Sequence, residues 1–192
     1  MSEAQFVLAS RSPRRADLLR NVGFKFLIEP AGIDESITLG EGPRNYVRRM
    51  ARSKATHIRS DLAVLGADTV VNVDGEVLGK PADRDQAISF LDTLSGREHE
   101  VVTAVAISLR DRIEVVDVVT KVRFRDLKPG EAARYWDTGE PVDKAGGYGL
   151  QGVGAVFVDV VTGSYSAVIG LPLVETERLL SSFGVDTWRN RT

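Results

Sequence analysis

Residues 63–73 read AVLGADTVVNV, with apolar side chains at positions that would face both sides of a β-strand. A strand that is apolar on both faces belongs in the middle of a sheet covered by helices. Asp74-Gly75 follows directly, and this dipeptide is a strong signal for a two-residue hairpin turn. We therefore predict a central strand over 63–73, a tight turn, and an antiparallel partner strand from Glu76 to Leu78.

On both sides of this hairpin, strand-like and helix-like patterns alternate along the chain. Prolines at the first helical position, such as Pro13 and Pro43, indicate where helices begin. The predicted helices cover 13–23, 43–60, 83–94, 129–139 and 172–183, and the other strands cover 5–10, 24–29, 98–109, 114–124 and a stretch that ends near 161. No repeat, low-complexity tract or linker separates these elements. We predict a single α/β domain, residues 1–192, with a mixed sheet bent into two lobes.

Composition excludes several classes of protein. Of the 192 residues, 43% are hydrophobic and 27% charged, as expected for a globular chain, and no apolar run approaches the ~20 residues that span a bilayer. The start of the chain lacks the pattern of a secretory signal, so the cytoplasm is the expected compartment. The chain has no cysteine, which excludes disulfides and thiolate sites, and its two histidines, His57 and His99, are too few for a multi-histidine metal cage.

Charge is distributed unevenly along the chain. Residues 1–60 carry 11 Lys/Arg against 6 Asp/Glu, whereas residues 61–192 carry 14 against 21. The first third therefore suits an anionic partner, either nucleic acid or a nucleotide, although basic stretches are often only solvated surface. Aromatic residues do not alternate with the basic ones, which counts against a platform for single-stranded nucleic acid.

Asp68 stands inside the predicted central strand, where an ionised carboxylate is costly unless it is paired or bound to a metal ion. Counting outward from the hairpin turn pairs Thr69 with Lys80 and leaves Lys80 diagonal to Asp68. Gly79 and Pro81 could shift this register by one residue. A structural Asp–Lys pair and a catalytic carboxylate are both compatible with the sequence.

Lys54 falls on the apolar face of the helix predicted from Pro43. The other members of that face are Val47, Met50, Ala51, Ala55 and Ile58. A lysine in this position either extends its ammonium group to solvent at the helix edge or stands at the wall of a charged cleft.

Arg14 and Arg15 fall in the first turn of the helix predicted from Pro13, where the helix dipole disfavours positive charge. A bound phosphate group would compensate, because the free N–H groups of a helix N-terminus and the guanidinium forks both bind anions. Alternatively, both side chains point outward or pair with a carboxylate such as Asp17.

Together with Asp34-Glu35 and the glycine-rich segment DKAGGYGLQG at 143–152, these residues suggest a site that cleaves nucleotides. Carboxylates would hold a divalent cation, Mg²⁺ or Mn²⁺ in preference to zinc, and Arg/Lys groups would hold phosphates. The glycines would let the backbone approach a flat ligand while Gln151 reads a base edge, or they form ordinary turns. The phosphate-loop, dinucleotide-binding and serine-hydrolase motifs are absent from the sequence.

The chain resembles the Maf family, the septum-formation-inhibitor-like proteins, known as nucleoside triphosphate pyrophosphatases. The motifs that carry the resemblance follow one another nearly from end to end. They are LASRSPRR at 8–15, Asp34-Glu35, ARSKA at 51–55, GADTVV at 66–71, GKP at 79–81, LSG at 94–96, DKAGGYGLQG at 143–152 and GLP at 170–172. The resemblance implies a fold similar to that of inosine triphosphate pyrophosphatases, with an elongated mixed β-sheet, flanking helices and a central cleft between two α/β lobes.

Within the family, the chain looks like the branch that acts on dTTP and UTP, and the positions that carry this assignment are Arg14, Thr69 and Gln151. The branch that acts on 7-methyl-GTP has a tryptophan after the Ser-Pro pair, which this chain lacks. The remaining roles that the resemblance implies are catalysis for Asp68, Lys54 and Lys80, phosphate binding for Ser10 and Arg15, and metal binding for Glu35 with Asp68.

We therefore expect a metal-dependent enzyme that hydrolyses dTTP and UTP to the monophosphate and pyrophosphate, with Asp68 activating water for attack at the α-phosphorus. Whether Asp68 is the base or a metal ligand stays open at this point. The family suggests a homodimer. Two alternatives are a nucleotide-responsive cell-division regulator that acts by binding a partner, and a nucleic-acid binder, which the acidic remainder of the chain disfavours. Turnover of a nucleoside triphosphate would distinguish the enzyme from both alternatives.

Overall fold

The computed structural model describes residues 4–189, so the first residues of the chain, on which the expected compartment depends, lie outside the described part. The strands are β1 (Phe6–Leu8), β2 (Phe26–Ile28), β3 (Ala63–Val73), β4 (Glu76–Leu78), β5 (Glu98–Leu109), β6 (Arg112–Phe124) and β7 (Val158–Thr162). The helices are α1 (Pro13–Asn21), α2 (Pro43–His57), α3 (Arg84–Leu94), α4 (Glu131–Trp136), α5 (Tyr165–Ile169) and α6 (Leu173–Ser182).

The strands form one seven-stranded sheet in the order β2-β1-β3-β5-β6-β7, with β4 paired to β3. β1 runs parallel to β2 and β3, whereas β3 with β4 and β6 with β7 are antiparallel. β3 lies inside the sheet as predicted, and all of its residues are buried except Thr69 and Asn72, which are partly buried. The predicted α/β class, with a mixed sheet and flanking helices, is confirmed.

The hairpin between β3 and β4 has the predicted turn. Asp74 and Gly75 both have positive φ, 51° and 88°, as a two-residue type I′ turn requires. Val73 pairs with Glu76 across the turn, which is the predicted register.

The predicted continuation of this ladder as far as Lys80 is wrong. The last pair of the ladder is Val71 with Leu78, where β4 ends. The carbonyl of Gly79 instead accepts a hydrogen bond of 2.9 Å from the backbone N–H of Gly146. The chain leaves the sheet at this point because the glycine-rich segment takes the next backbone partner.

The glycine-rich segment and the residues that flank it contain short regular turns. Three short 3-10 turns occupy Glu140–Asp143, Ala145–Gly147 and Val153–Phe157. Gly146 and Gly147 have φ near 70°, a conformation that few other residues adopt.

Contacts divide the described chain into two compact units. Unit 1 contains residues 4–68, 103–118 and 170–189, and unit 2 contains residues 69–102 and 119–169. A buried cluster in unit 2 includes Leu91, Val122, Phe124, Tyr135 and Phe157. That residues 1–192 form a single domain stays a prediction. Within residues 4–189, no helix is both long and apolar enough to cross a membrane.

One of the two histidines is exposed and the other is buried. His57 is exposed at the end of α2. His99 is buried in unit 2, where its Nε2 lies 2.7 Å from Oη of Tyr148 and its ring meets Phe124 edge to face. Burial lowers the pKa of His99 to about 4, so the ring is neutral at physiological pH.

Candidate active site

Asp68 lies in the middle of β3 and is only 7% exposed. Its Oδ1 accepts a hydrogen bond of 2.7 Å from Nζ of Lys54 on α2, whose side chain is 8% exposed. The partner of Asp68 is thus Lys54 and not the predicted Lys80, which is exposed and belongs to unit 2. The alternative in which Lys54 extends to solvent is wrong.

Close packing of α2 on β3 brings Lys54 to Asp68. A Cβ atom built on Gly66 would lie 2.3 Å from the carbonyl oxygen of Ala51 and 2.6 Å from the backbone nitrogen of Ala55. These atoms belong to the backbone of α2, so neither can yield to a side chain at position 66. The absent side chain lets the helix and the strand approach each other at this point.

Lys54 also binds Glu35, at 2.8 Å between Nζ and Oε1. One ammonium group therefore contacts two carboxylates, and this joins the loop that carries Glu35 to the buried Asp68. The Glu35 side chain is 47% exposed, so the outer side of this group is open to water.

Tyr46 is a residue of this cluster that sequence reasoning missed. Its hydroxyl donates a hydrogen bond of 2.8 Å to the carbonyl of Glu35, and Arg49 donates one of 3.0 Å to the next carbonyl, that of Ser36. Arg49 also binds Glu41 at 2.7 Å. The signal that could have found Tyr46 is its position two turns before Lys54, on the same face of α2.

Arg15 is buried at the start of unit 1, although Arg14 beside it is partly exposed. Its Nε donates to the carbonyl of Gly170 at 2.7 Å, and its Nη1 donates to Oγ of Ser10 at 3.2 Å. The alternative in which both arginines point outward is therefore wrong. Asp17, the suggested carboxylate partner, binds Arg20 at 2.9 Å.

Burial and charge act in opposite directions on these groups. Burial raises the pKa of the Asp68 carboxyl above its ordinary value, although the positive charges of Lys54 and Arg15 favour the ionised form. Burial lowers the pKa of Arg15, against the effect of the Asp68 charge. Burial, together with the charges of Asp68 and Glu35, raises the pKa of Tyr46 to about 12, so its hydroxyl remains a donor. A carboxylate with a raised pKa is a better proton acceptor.

The predicted metal ligands, Glu35 and Asp68, are both carboxylates that contact Lys54. Within residues 4–189, no three His, Cys, Asp or Glu side chains are placed to hold a metal ion. Glu35 and Asp68 supply two carboxylates around Lys54. Mg²⁺ is commonly held by one or two carboxylates with substrate phosphates and water. The pair therefore fits a cation that binds together with a phosphate ligand.

The structure brings one group of predicted site residues together in unit 1: Ser10, Arg15, Glu35, Lys54 and Asp68. The others belong to unit 2, apart from Arg14. Thr69 follows Asp68 in β3, and strand alternation points its side chain to the opposite face. Lys80 and Gln151 are both exposed.

The chain matches the family of Maf-like proteins over residues 5–183. A protein of Hahella chejuensis named dTTP/UTP pyrophosphatase is 47% identical over 190 residues, which cover 96% of this chain and 94% of that protein. Proteins with the same name from Saccharophagus degradans and Pseudoalteromonas atlantica are 46% and 50% identical, and the matches cover 98% and 91% of this chain and 93% and 95% of theirs. The chain therefore belongs to the family of Maf-like proteins.

Proposed function

We propose that the chain hydrolyses dTTP and UTP to the nucleoside monophosphate and pyrophosphate, as a nucleoside triphosphate diphosphatase. The observation that carries this proposal is the buried carboxylate of Asp68, held by Lys54 and facing the charge of Arg15. A carboxylate with a raised pKa beside two cations can take a proton from water near a polyanionic substrate. The name shared by the relatives described above supports dTTP and UTP as the substrates.

In the proposed reaction, Asp68 accepts a proton from a water molecule, and the resulting hydroxide attacks the α-phosphorus. The bond between that phosphorus and the oxygen that bridges to the β-phosphorus breaks, and pyrophosphate leaves with the electron pair. Arg15 and Lys54 stabilise the negative charge that develops on the leaving group. Lys80 is proposed to contribute to the same stabilisation. Ser10, which accepts a hydrogen bond from Arg15, is proposed to bind a phosphate oxygen.

A divalent cation, Mg²⁺ or Mn²⁺, would be held by Glu35 and Asp68 and would neutralise part of the triphosphate charge. Lys54 keeps these two carboxylates close, which reduces the repulsion between them. The Asp68→Asn variant separates the two roles proposed for Asp68. Loss of a ligand raises the metal concentration needed for half-maximal rate, whereas loss of the base lowers kcat at saturating metal.

Base selection is proposed to depend on Gln151, with Arg14 and Thr69 contributing. The Gln151 amide carries a donor and an acceptor, which match the O4 and N3–H edge that thymine and uracil share. Gln151→Glu removes the donor, so transition-state stabilisation for dTTP and UTP should fall by about 1–3 kcal/mol. The value of kcat/KM for these two substrates should fall accordingly, and that for CTP should not. The ratio of kcat/KM for UTP to kcat/KM for CTP is measured in this variant and compared with the same ratio in Arg14→Ala. Equal loss of both pyrimidines would mean that Gln151 does not read the base.

The experiment that tests the function is a panel of nucleoside triphosphates with Mg²⁺ or Mn²⁺, with the products identified by chromatography. We expect dTTP and UTP to give monophosphate and pyrophosphate in equal amounts. Diphosphate and orthophosphate as main products would contradict cleavage at the α-phosphorus. Tight nucleotide binding without turnover would favour a cell-division regulator that acts through a partner.

The proposal includes a cytoplasmic location and a homodimer. A cytoplasmic location fits a substrate drawn from the pool of nucleoside triphosphates, and cell fractionation tests it. Sedimentation of the purified protein across a range of concentrations tests the homodimer.

A further inference from the structure

A single carboxylate, that of Glu140, fixes the backbone of residues 149–154 in unit 2. Oε1 of Glu140 accepts hydrogen bonds from the hydroxyl of Tyr135 at 2.7 Å and from the backbone N–H of Gly154 at 3.2 Å. Its Oε2 accepts one of 2.8 Å from the N–H of Val153. The Tyr135 oxygen in turn accepts a hydrogen bond of 3.0 Å from the N–H of Gly149. One carboxylate and one phenol therefore bind the backbone of residues 149–154 at both ends.

The same two side chains explain two glycines of this segment. A Cβ atom on Gly152 would lie 2.3 Å from Oε2 of Glu140, and one on Gly154 would lie 2.5 Å from the Tyr135 oxygen. The two distances below 3.0 Å would force the backbone or the polar side chain to move. These glycines therefore allow the backbone to approach Glu140 and Tyr135.

The hub formed by Glu140 and Tyr135 is itself firmly held. Burial alone would raise the pKa of the Glu140 carboxyl, but the hydrogen bonds that it accepts, that from Tyr135 first, lower the pKa below its ordinary value. Glu140 is thus ionised at neutral pH, and its hydrogen bonds are charge-assisted. Tyr135 is 2% exposed and packs edge to face on Phe157, with ring centres 5.1 Å apart, in the core of unit 2.

Gln151 is exposed on this segment, and the hydrogen bonds to the hub flank it on both sides, at Gly149 before it and at Val153 and Gly154 after it. Discrimination by an amide needs a fixed pose, because a hydrogen bond weakens steeply with misalignment. We propose that Glu140 and Tyr135 are positioning residues for base discrimination, which set the pose of Gln151 through the backbone of residues 149–154. This inference rests on the proposed function, in which Gln151 reads the base.

The first experiment compares the UTP to CTP ratio of kcat/KM in three variants. In Glu140→Gln, an amide NH₂ replaces one acceptor oxygen and opposes a backbone N–H, so the ratio should fall roughly tenfold. Tyr135→Phe should reduce it less. The matched control is Glu177→Gln: Glu177 accepts a hydrogen bond of 2.6 Å from the hydroxyl of Thr187 in unit 1, so the ratio should not change.

Two further measurements separate positioning from a merely structural role. Combining Glu140→Gln with Gln151→Glu should reduce the UTP to CTP ratio no further than Gln151→Glu alone, because both act on one contact. Amide hydrogen exchange at Gly149, Val153 and Gly154 should be faster in Glu140→Gln and unchanged in Glu177→Gln.

The outcomes distinguish the inference from the proposed function. If the wild-type enzyme does not prefer UTP to CTP, the proposed function is wrong and the positioning role falls with it. If the wild type prefers UTP and Gln151→Glu removes this preference, an unchanged ratio in both Glu140→Gln and Tyr135→Phe overturns the inference alone. A lower melting temperature with an unchanged ratio would assign the two residues to stability only.

Discussion

Asp68 in unit 1 and Glu140 in unit 2 are carboxylates whose surroundings shift their pKa values in opposite directions. Asp68 is buried beside two cations, and burial prevails, so its pKa is raised. Glu140 accepts hydrogen bonds from a phenol and two backbone N–H groups, and these prevail, so its pKa is lowered. The first environment suits a group that exchanges a proton during turnover. The second suits a group that stays ionised and holds the backbone in place.

The two regions also differ in the kind of group that meets the carboxylate. Side chains from helix α2, helix α1 and the Glu35 loop converge on Asp68. Around Glu140, by contrast, most of the donors belong to the backbone of residues 149–154. Substitutions near Asp68 should therefore change chemistry and electrostatics, whereas substitutions near Glu140 should change the conformation of the segment.

The largest expected effect is that of Lys54→Met. It leaves Asp68 and Glu35 without the ammonium group that both contact, and removing one partner of a buried ion pair costs about 3–5 kcal/mol. Denaturant unfolding at neutral pH should show this loss, together with loss of turnover. The control is Lys121→Met, which breaks an exposed pair with Glu98 and should leave stability unchanged.

This loss should depend on pH. Burial already raises the pKa of Asp68, and removing Lys54 removes a charge that lowers it, so the pKa rises further. The folded chain then binds a proton at a higher pH than the unfolded chain. Stability is therefore greater below the ordinary pKa of Asp68 and falls as the pH rises through the raised value. If Lys54→Met lost the same free energy of unfolding in acid as at neutral pH, this account of Lys54 would be wrong.

The next effect is on rate. Asp68→Asn should lower kcat by a factor on the order of 10² or more while the protein remains folded. Asp117→Asn is the matched control, because the Asp117 side chain is also only 4% exposed but binds Arg44 at 2.7 Å and Arg48 at 2.6 Å. That variant should melt at a lower temperature and keep its activity per folded molecule. The opposite result for Asp68→Asn, a large melting drop with near-normal activity, would make Asp68 a structural residue.

Much of the fold and part of the site could be predicted from the sequence, because the signals were local. The apolar run of β3 and the prolines at the starts of α1 and α2 indicated regular elements, and the structure has them at those positions. Asp68 and Lys54 stood out because each breaks the pattern of its own element. A charge on an apolar face is visible without any knowledge of tertiary contacts.

The parts that could not be predicted depend on contacts without such a signal. Lys80 was assigned to Asp68 by extending a ladder that in fact ends at Leu78. Tyr46 looked like an ordinary residue of an amphipathic helix. Glu140 binds backbone N–H groups of Val153 and Gly154, and a backbone donor has no signature in the sequence.

A smaller effect, on stability, is expected in the glycine-rich segment. In Gly152→Ala, the new Cβ would lie 2.3 Å from Oε2 of Glu140, and such overpacking costs about 1–3 kcal/mol. Gly32→Ala is the control, because an added Cβ there meets nothing within 4 Å. Denaturant unfolding measures both. The loss should be smaller when Gly152→Ala is combined with Glu140→Ala, and an undiminished loss would place the strain elsewhere.

The smallest effect is expected for Tyr46→Phe, a substitution of a residue that orients Glu35. The substitution removes one hydrogen bond, from the hydroxyl to the carbonyl of Glu35, which is worth about 0.5–1.5 kcal/mol. Because Glu35 is a proposed metal ligand, the metal concentration for half-maximal rate should rise about 2- to 10-fold, with kcat nearly unchanged at saturating metal. Tyr165→Phe, at an exposed tyrosine, should change neither quantity.

The pH dependence of this last effect separates Tyr46 from Asp68. Burial first, and then the nearby negative charges, raise the pKa of Tyr46 to about 12, so the hydroxyl stays protonated across the range of an enzyme assay. The shift in metal requirement should therefore be the same at acidic and alkaline pH, whereas effects that act through Asp68 follow its titration. A shift that disappears at one end of the range, or a lower melting temperature with an unchanged metal requirement, would mean that Tyr46 does not act by orienting Glu35.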